Sequence, residues 1–358
     1  INRCRDERVA ARDIGLCARG GSLWVDGLWV DKEDRFHICR EACLGGMMNN
    51  NALISVVIPT YNREATIARA VESALKQTWT NIEVIVIDDG STDGTEEVVR
   101  TINDPRVRYL RNDRNLKGGA SRNKGGTLAR GEYIAFLDSD DEWLAGKLAT
   151  QMKAVLEHGN PKAVVCYTRL RVRRDGKEFM EPARGIGRGE QVGDYLFKNS
   201  GHIQTSSLFM SKELFESCLF DSRLLKHQDW DLAIRLQLIG AEFVFIESAE
   251  TIWYQDSKTS RVSSLVDNDG SREWIRRYGD HLSKGAIFGF MAIVIAPELA
   301  NGPFSERIKA AGILIAALFL RAVKVRKFVT DFARVVVGRK VINSCKTAFY
   351  GVRGVLVK

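Results

Sequence analysis

The sequence predicts an α/β fold: a parallel sheet with helices on both faces, followed by a helical, basic C-terminal extension. Three observations carry this. From Leu53 onward, short β-branched runs alternate with helically spaced apolar residues over ~100 residues, the pattern of a parallel sheet covered on both sides. Three of the runs stop in polar clusters, which lines one edge of the sheet with polar side chains. Near the end of the chain, Ala286 to Ala296 and Ala310 to Leu320 are apolar runs of 11 residues each, and cations follow the second.

Leu53 to Ile58 is a β-branched run stopped by Pro59, as expected of a buried parallel strand. Ile67, Ala70, Val71, Ala74 and Leu75 recur at helical spacing. Ile82 to Ile87 is a second strand, ending in Asp88-Asp89-Gly90-Ser91-Thr92-Asp93, where turn residues mix with helix-capping candidates. Val98, Val99 and Ile102 form the apolar face of a helix, and Val107 to Leu110 a third strand. A helix is expected from about Ala120 to Ala129. Tyr133 to Leu137 is a fourth strand, running into Asp138-Ser139-Asp140-Asp141, and a helix is expected from about Trp143 to Glu157. Beyond these, Val164 to Tyr167, Arg169 to Val172, Ser206 to Met210 and Phe243 to Ile246 read as strands, residues 185–193 as a glycine-rich polar loop, and Asp229 to Leu236 as the opening of a helix.

The 358 residues carry a net charge of +8, but unevenly. Residues 1–46 are neutral, residues 301–358 hold 12 basic and two acidic residues, and the middle is at −2. The core therefore has no electrostatic reason to seek a polyanion. Seven cysteines are too sparse for a disulfide scaffold, and no apolar run reaches the ~18 residues of a membrane span. Residues 1–46 lack a sustained period and a signal-peptide core. His37, Cys39 and Cys43 match no common zinc spacing. Gly45-Gly46 before Met47-Met48 fits a bacterial ribosome-binding site, so translation is expected to start at Met47 or Met48, leaving 1–46 a non-native or disordered extension.

Sheets of this kind bind ligands beyond the carboxyl ends of their strands, at a topological switch point. Pro59-Thr60-Tyr61-Asn62, Asp88-Asp89 and Asp138 to Asp141 all fall there. Asp138 and Asp140 stand two residues apart, so an extended backbone aims both to one side. Such hard oxygen ligands suit Mg²⁺ or Mn²⁺, which keep waters and substrate phosphates as further ligands. Arg122, near a helix start after Lys117-Gly118-Gly119, is placed to pair with a phosphate. Asp229 and Asp231 open a helix, where a carboxylate serves either as a general base or as a cap. No P-loop, dinucleotide-binding glycine pattern, nucleophile elbow or zinc-protease helix is present.

Val56-Val57-Ile58-Pro59-Thr60-Tyr61-Asn62, Ile87 to Asp93, Ser121-Arg122-Asn123 and Gly131 through Asp141, in that order over about 90 residues, resemble the family 2 glycosyltransferases. The resemblance runs more weakly to Ser264. It implies the GT-A fold and an inverting enzyme that uses a nucleotide-diphosphate sugar, typically a UDP-sugar. It implies that Pro59 and Tyr61 line the nucleobase pocket and that Asp89 accepts a hydrogen bond from the base. It also implies that Arg122 meets the diphosphate, that Asp138 and Ser139 lie at the nucleotide-sugar, and that Asp140 with Asp138 holds the metal. The family often has Glu-Asp before its Trp-rich helix. Here the pair reads Gln228-Asp229, so the resemblance implies Asp229 as the base, and the departure at Gln228 puts a supporting acceptor contact in question.

The expected domains are 47–160 for the nucleotide-sugar half, 161–265 for the acceptor half and 266–358 for the helical, basic region. Residues 201–206 and 260–264 are expected to face the acceptor, and Trp253 and Tyr254 either stack on a sugar or pack in the core. The expected partners are the nucleotide-diphospho-sugar donor, a saccharide or lipid-linked acceptor, and an anionic membrane surface met by the tail. The near-neutral core disfavours nucleic acid. The expected location is cytoplasmic, peripheral on the inner membrane face. A sugar-phosphate nucleotidyltransferase would need a phosphate loop straight after the first strand, which Pro59 to Asn62 is not. A catalytically silent polysaccharide- or lipid-binding scaffold would not need Asp89, Asp138, Asp140 and Asp229 together.

Overall fold

The structure is a computed structural model that describes residues 23–25, 28–30, 36–38, 51–255 and 268–337. The chain divides into two compact units, Ile1–Ala52 and Leu53–Lys358. In the first, β1 (Leu23–Val25), β2 (Leu28–Val30) and β3 (Phe36–Ile38) form an antiparallel three-stranded sheet. Most of 1–46, the expected start at Met47 or Met48 and the expected loop 260–264 lie outside the described residues.

The second unit opens with β4 (Ile54–Thr60), α1 (Ile67–Leu75), β5 (Ile82–Asp88), α2 (Thr95–Thr101), β6 (Val107–Arg111), α3 (Gly118–Leu128) and β7 (Tyr133–Phe136). All seven residues of both β4 and β5 are buried, which is why their apolar runs are continuous rather than alternating. In α1, Ile67, Ala70, Val71 and Ala74 face the core. No apolar stripe holds α3. It is drawn in by close approach instead: a Cβ on Gly125 would lie 2.4 Å from Val57, and one on Gly126 2.1 Å from Phe215.

Then follow β8 (Glu142–Trp143), α4 (Lys147–Leu156), β9 (Val164–Arg174), β10 (Lys177–Glu181), α5 (Val192–Phe197), β11 (Leu208–Ser211), α6 (Lys212–Ser217), α7 (Gln228–Leu238) and β12 (Glu242–Tyr254). The sheet order is β6-β5-β4-β7-β11-β9-β12-β8, with β10 beside β9. From β6 to β7 the strands are parallel, as expected. Beyond β7 the sheet is mixed: β11 runs antiparallel to both β7 and β9, while β12 is parallel to β9. The sequence-level expectation of a parallel sheet therefore covers only the first half, because a buried apolar run does not encode direction.

A second correction concerns Trp143. It belongs to β8, which pairs with Thr251 and Ile252, and the helix starts only at Lys147. The indole is buried and donates from Nε1 to Ser206 O at 2.8 Å, which fixes Trp143 in the sheet.

The tail comprises α8 (Asn268–Arg277), α9 (Lys284–Phe290), a π-helical turn (Met291–Ile295), α10 (Ala296–Leu299), α11 (Phe304–Phe319) and α12 (Val325–Val337). It is part of the main core. Trp274, Phe290, Ile295, Leu314 and Ala317 belong to the same apolar cluster as Phe136, Tyr167 and Phe215. Among the described residues no helix is long and apolar enough to cross a membrane.

Candidate active site

The chain order reverses between β4 and β7, the switch point beyond which sheets of this kind bind their ligands. The polar clusters predicted there meet. Thr60 pairs in register with Asp88, Asp89 N donates to Thr60 O at 2.8 Å, and Leu137 N donates to Val57 O at 3.0 Å. Pro59 is buried in β4, and Tyr61, just beyond the strand, is 43% exposed.

Asp88 builds the turn after β5. Its carboxylate accepts from Ser91 N at 2.7 Å and from the Tyr109 hydroxyl at 2.6 Å. Asp93 accepts from Thr95 N at the start of α2, from the position before the N-cap Gly94. Ser91 instead accepts from Asn62 N at 2.9 Å and stitches the first cluster to the second. Asp89, buried, accepts from Asn112 Nδ2 (2.8 Å) and Leu116 N (2.8 Å) at Oδ1, and from Lys117 N (2.7 Å) at Oδ2. It thereby fixes the loop that leads into α3 and so the place of Arg122. Asn112, which the sequence reading did not single out, binds both Asp89 and Ser121.

Arg122 bridges two distant parts of the chain. One terminal nitrogen donates to Asp138 Oδ1 at 2.6 Å, and the other donates to Gln228 Oε1 at 2.7 Å, across 106 residues of sequence. Gln228 in turn donates to Leu224 O at 2.7 Å. The aspartate loop and the start of α7 are thus held together by one guanidinium. Asp229, next to Gln228, is partly buried. Burial pushes its carboxyl up to about 6; the bond from Trp230 N and the Arg122 charge pull it down, while the Asp138 charge adds to the rise.

The aspartate loop has further supports. Asp138 Oδ2 accepts from Gln204 Nε2 at 3.2 Å, and Asp138 N donates to Ser206 Oγ at 2.9 Å. Asp141 is fully buried and accepts from Gln204 Nε2 (2.8 Å) and Ser206 Oγ (2.7 Å); burial holds its carboxyl well above the usual range. The expected loop 201–206 therefore does reach the site, through Gln204 and Ser206. Arg69 donates to Asp140 O at 2.6 Å and lies over the Tyr254 ring, while Arg63 stands 3.8 Å from Asp140 Oδ2. Tyr254 is held by Glu142 at 2.7 Å, and Trp253 packs on His202. Ser139 is buried between the two acids.

Two buried polar atoms of the site, Arg122 Nε and Gln204 Oε1, have no partner among the described residues, nor has Thr60 Oγ1 at the β4 end. Donors and an acceptor in such positions fit a polar, anionic ligand. Among the described residues no three carboxylate, histidine or cysteine groups gather as a metal cage. One or two carboxylates are nonetheless what a hard cation needs when phosphates and water complete its shell. The Asp138 carboxylate is shared between Arg122 and Gln204, and that of Asp140 faces Arg63.

Residues 55–219 match the family described as glycosyl transferase family 2. The amylovoran biosynthesis glycosyltransferase AmsB of Erwinia amylovora is 30% identical over 246 residues, which cover 66% of this chain and 81% of that protein. The UDP-Glc:alpha-D-GlcNAc-diphosphoundecaprenol beta-1,3-glucosyltransferase WfaP of Escherichia coli is 44% identical over 100 residues, 28% of this chain and 40% of that protein. Among solved structures, S. aureus TarS superposes with a TM-score of 0.50 at 18% identity, over 79% of this chain and 54% of that one. That likeness speaks for the fold alone.

Proposed function

This chain belongs to glycosyl transferase family 2, and on that premise we propose that it transfers a sugar from a UDP-sugar to a hydroxyl of a saccharide or lipid-linked acceptor, with inversion, in the synthesis of a bacterial surface or exopolysaccharide. The WfaP relative, a glucosyltransferase from UDP-Glc to a diphosphoundecaprenol-linked sugar, supports the donor and acceptor classes. One observation carries the mechanism: Arg122 ties Asp138 to Gln228, which sets the Asp229 carboxyl beside the aspartate loop.

In this reading Pro59 and Tyr61 bound the nucleobase, and Asp89 accepts from a base N–H. Among the described residues Asp89 Oδ2 takes a single bond, from Lys117 N, which leaves a lone pair for that purpose. Asp138 and Ser139 lie at the ribose and sugar. Asp229 removes the proton of the acceptor hydroxyl. The acceptor oxygen then bonds to the anomeric carbon as the bond from that carbon to the diphosphate breaks on the opposite side, and the electron pair leaves with the diphosphate. Arg122 faces the charge that develops there. Asp140, with Asp138, would hold Mn²⁺ or Mg²⁺, which when bound supplies charge neutralisation for the diphosphate. A raised carboxyl near 6 is a better proton acceptor than an ordinary aspartate and is still ionised at neutral pH. A lipid-linked acceptor would bring the enzyme to an anionic membrane surface, with the C-terminal helices as the region that meets it.

The test is a screen of UDP-sugars with Mn²⁺ or Mg²⁺, with and without polyprenyl-diphosphate-linked saccharides, reading UDP release and product mass. Acceptor-dependent UDP release is expected. Folded enzyme that binds UDP-sugars yet transfers to no saccharide or lipid-linked acceptor would count against the reading.

A further inference from the structure

The two apolar runs of the tail end in different situations. The first, Ala286 to Ala296, is largely absorbed into the core through Ala286, Phe290, Ala292, Ile295 and Ala296. The second becomes α11, which is apolar on two opposite faces. Ala310, Ile313, Leu314 and Ala317 are buried on one face. On the other, Phe304 is 74% exposed and Phe319 84%, with Ile308 and Ile315 between them, also exposed. The spacings of four, seven and four residues put these side chains within about 60° of one another on a helix of 3.6 residues per turn.

Helix α12 repeats the arrangement. Phe328 and Phe332 pack against the core, while Val325 and Val329 are exposed four residues apart. The two helices are joined by Arg307, whose Nε donates to Val335 O at 2.7 Å. Monomeric surfaces rarely expose a row of large apolar side chains without a use for it.

The charge around the row selects the occupant. Residues 301–337 hold seven basic residues and two acidic ones, a net of +5. One of the acids, Asp331, is engaged by Lys327 and Arg334. Lys309, Arg321, Lys324 and Arg326 are exposed on and between the two helices. A second copy of the chain would set two such faces against each other at like charge. An apolar row edged by cations is the chemistry of a helix lying in the interface of an anionic bilayer, apolar side chains among the acyl chains and cations at the headgroups.

We infer that the outer face of α11 and α12, led by Phe304, Ile308, Ile315 and Phe319, is a docking surface for an anionic lipid membrane. It holds the enzyme in the plane where a lipid-linked acceptor lies, and in that respect it rests on the proposed function. Vesicle binding is read without turnover, so its failure leaves the transferase reading standing.

The experiment is co-sedimentation of the full chain with vesicles of equimolar phosphatidylglycerol and phosphatidylcholine, and with vesicles of phosphatidylcholine alone. Binding to the anionic vesicles is expected, falling with added salt. The double variant Phe304→Ser/Phe319→Ser should bind about tenfold more weakly or less, with unchanged circular dichroism and unchanged UDP binding. Wild-type protein remaining in the supernatant with anionic vesicles at low salt would overturn the inference. So would binding that the double variant retains in full, or a dimer in light scattering that the double variant dissociates.

Discussion

Asp229 is a carboxyl whose usefulness and cost have one origin. Burial raises it to about 6, against 3.8 for an ordinary aspartate. As a base it must be ionised, so the transfer rate is expected to rise about tenfold per pH unit below 6 and to level above it. The native state holds this proton more tightly than the unfolded chain does. Stability therefore falls as pH rises from about 4 to about 6, and the loss persists above that window. Asp229→Asn removes the base and the buried charge together: transfer should disappear, while the melting temperature at pH 7 stays equal or rises. Gln228 supplies a second test at this scale. Its amide accepts from Arg122 and donates to Leu224 O. Gln228→Glu keeps the first bond, loses the second and sets a negative charge beside Asp229. The midpoint of the pH–rate profile should move up by about one unit, whereas an unmoved midpoint would mean that Asp229 is not the titrating base.

At the scale of elements, the site depends on how close α3 sits to the sheet. Gly126 faces Phe215 at a distance that leaves no room for a methyl group. Gly126→Ala should destabilise the protein by about 1–3 kcal/mol, measured by urea unfolding, and should lower transfer because Arg122 rides on the same helix. Helix α4 carries a different strain. Lys147 is fully buried, donates to Gln151 Oε1 at 2.6 Å and lies over Trp143, and burial pushes its ammonium down to about 7. The unfolded chain then binds more protons than the native one above pH 7. The unfolding free energy should rise from pH 7 to pH 9 in the wild type, and this contribution should vanish in Lys147→Met.

These elements also show what a sequence can convey. The buried runs of β4, β5 and β7 were legible because a strand covered on both faces must be apolar throughout, and the polar residues after them could only lie at its edge. Trp143 was misread as helical because the helical pattern of α4 continues back through it, and its indole bond to Ser206 spans 63 residues. Gln204, Ser206, Asn112 and the Arg122–Gln228 contact were hard to see for the same reason. Partners tens of residues apart leave no local spacing to read.

The whole molecule joins its tail to its chemistry. Asp231, fully buried two residues after Asp229, accepts from Trp274 Nε1 at 3.1 Å and from Tyr278 at 2.5 Å, and pairs with Arg235 at 2.6 Å. Nearby, the rings of His227, Trp230, Phe197, Trp274 and Phe290 pack against one another. Helix α8 is therefore a buttress of α7, and composition alone, which marked the tail only as basic and apolar, did not convey this. Asp231→Ala leaves Arg235 partly buried without its partner and should cost about 3 kcal/mol, seen as a lower urea midpoint, with transfer lost in proportion to folding. The proposed cation site belongs to the same scale, since a cation held at Asp140 would take donor phosphates to complete its shell. Excess EDTA should abolish transfer and Mn²⁺ or Mg²⁺ restore it.

The most direct measurement compares wild type and Asp229→Asn with one UDP-sugar and one acceptor, following product formation and anomeric configuration by NMR and donor affinity by calorimetry. Wild type should form a product of inverted configuration, and the variant should form none while binding the donor as tightly as wild type. Turnover by Asp229→Asn at the wild-type rate, or a product of retained configuration, would contradict the account.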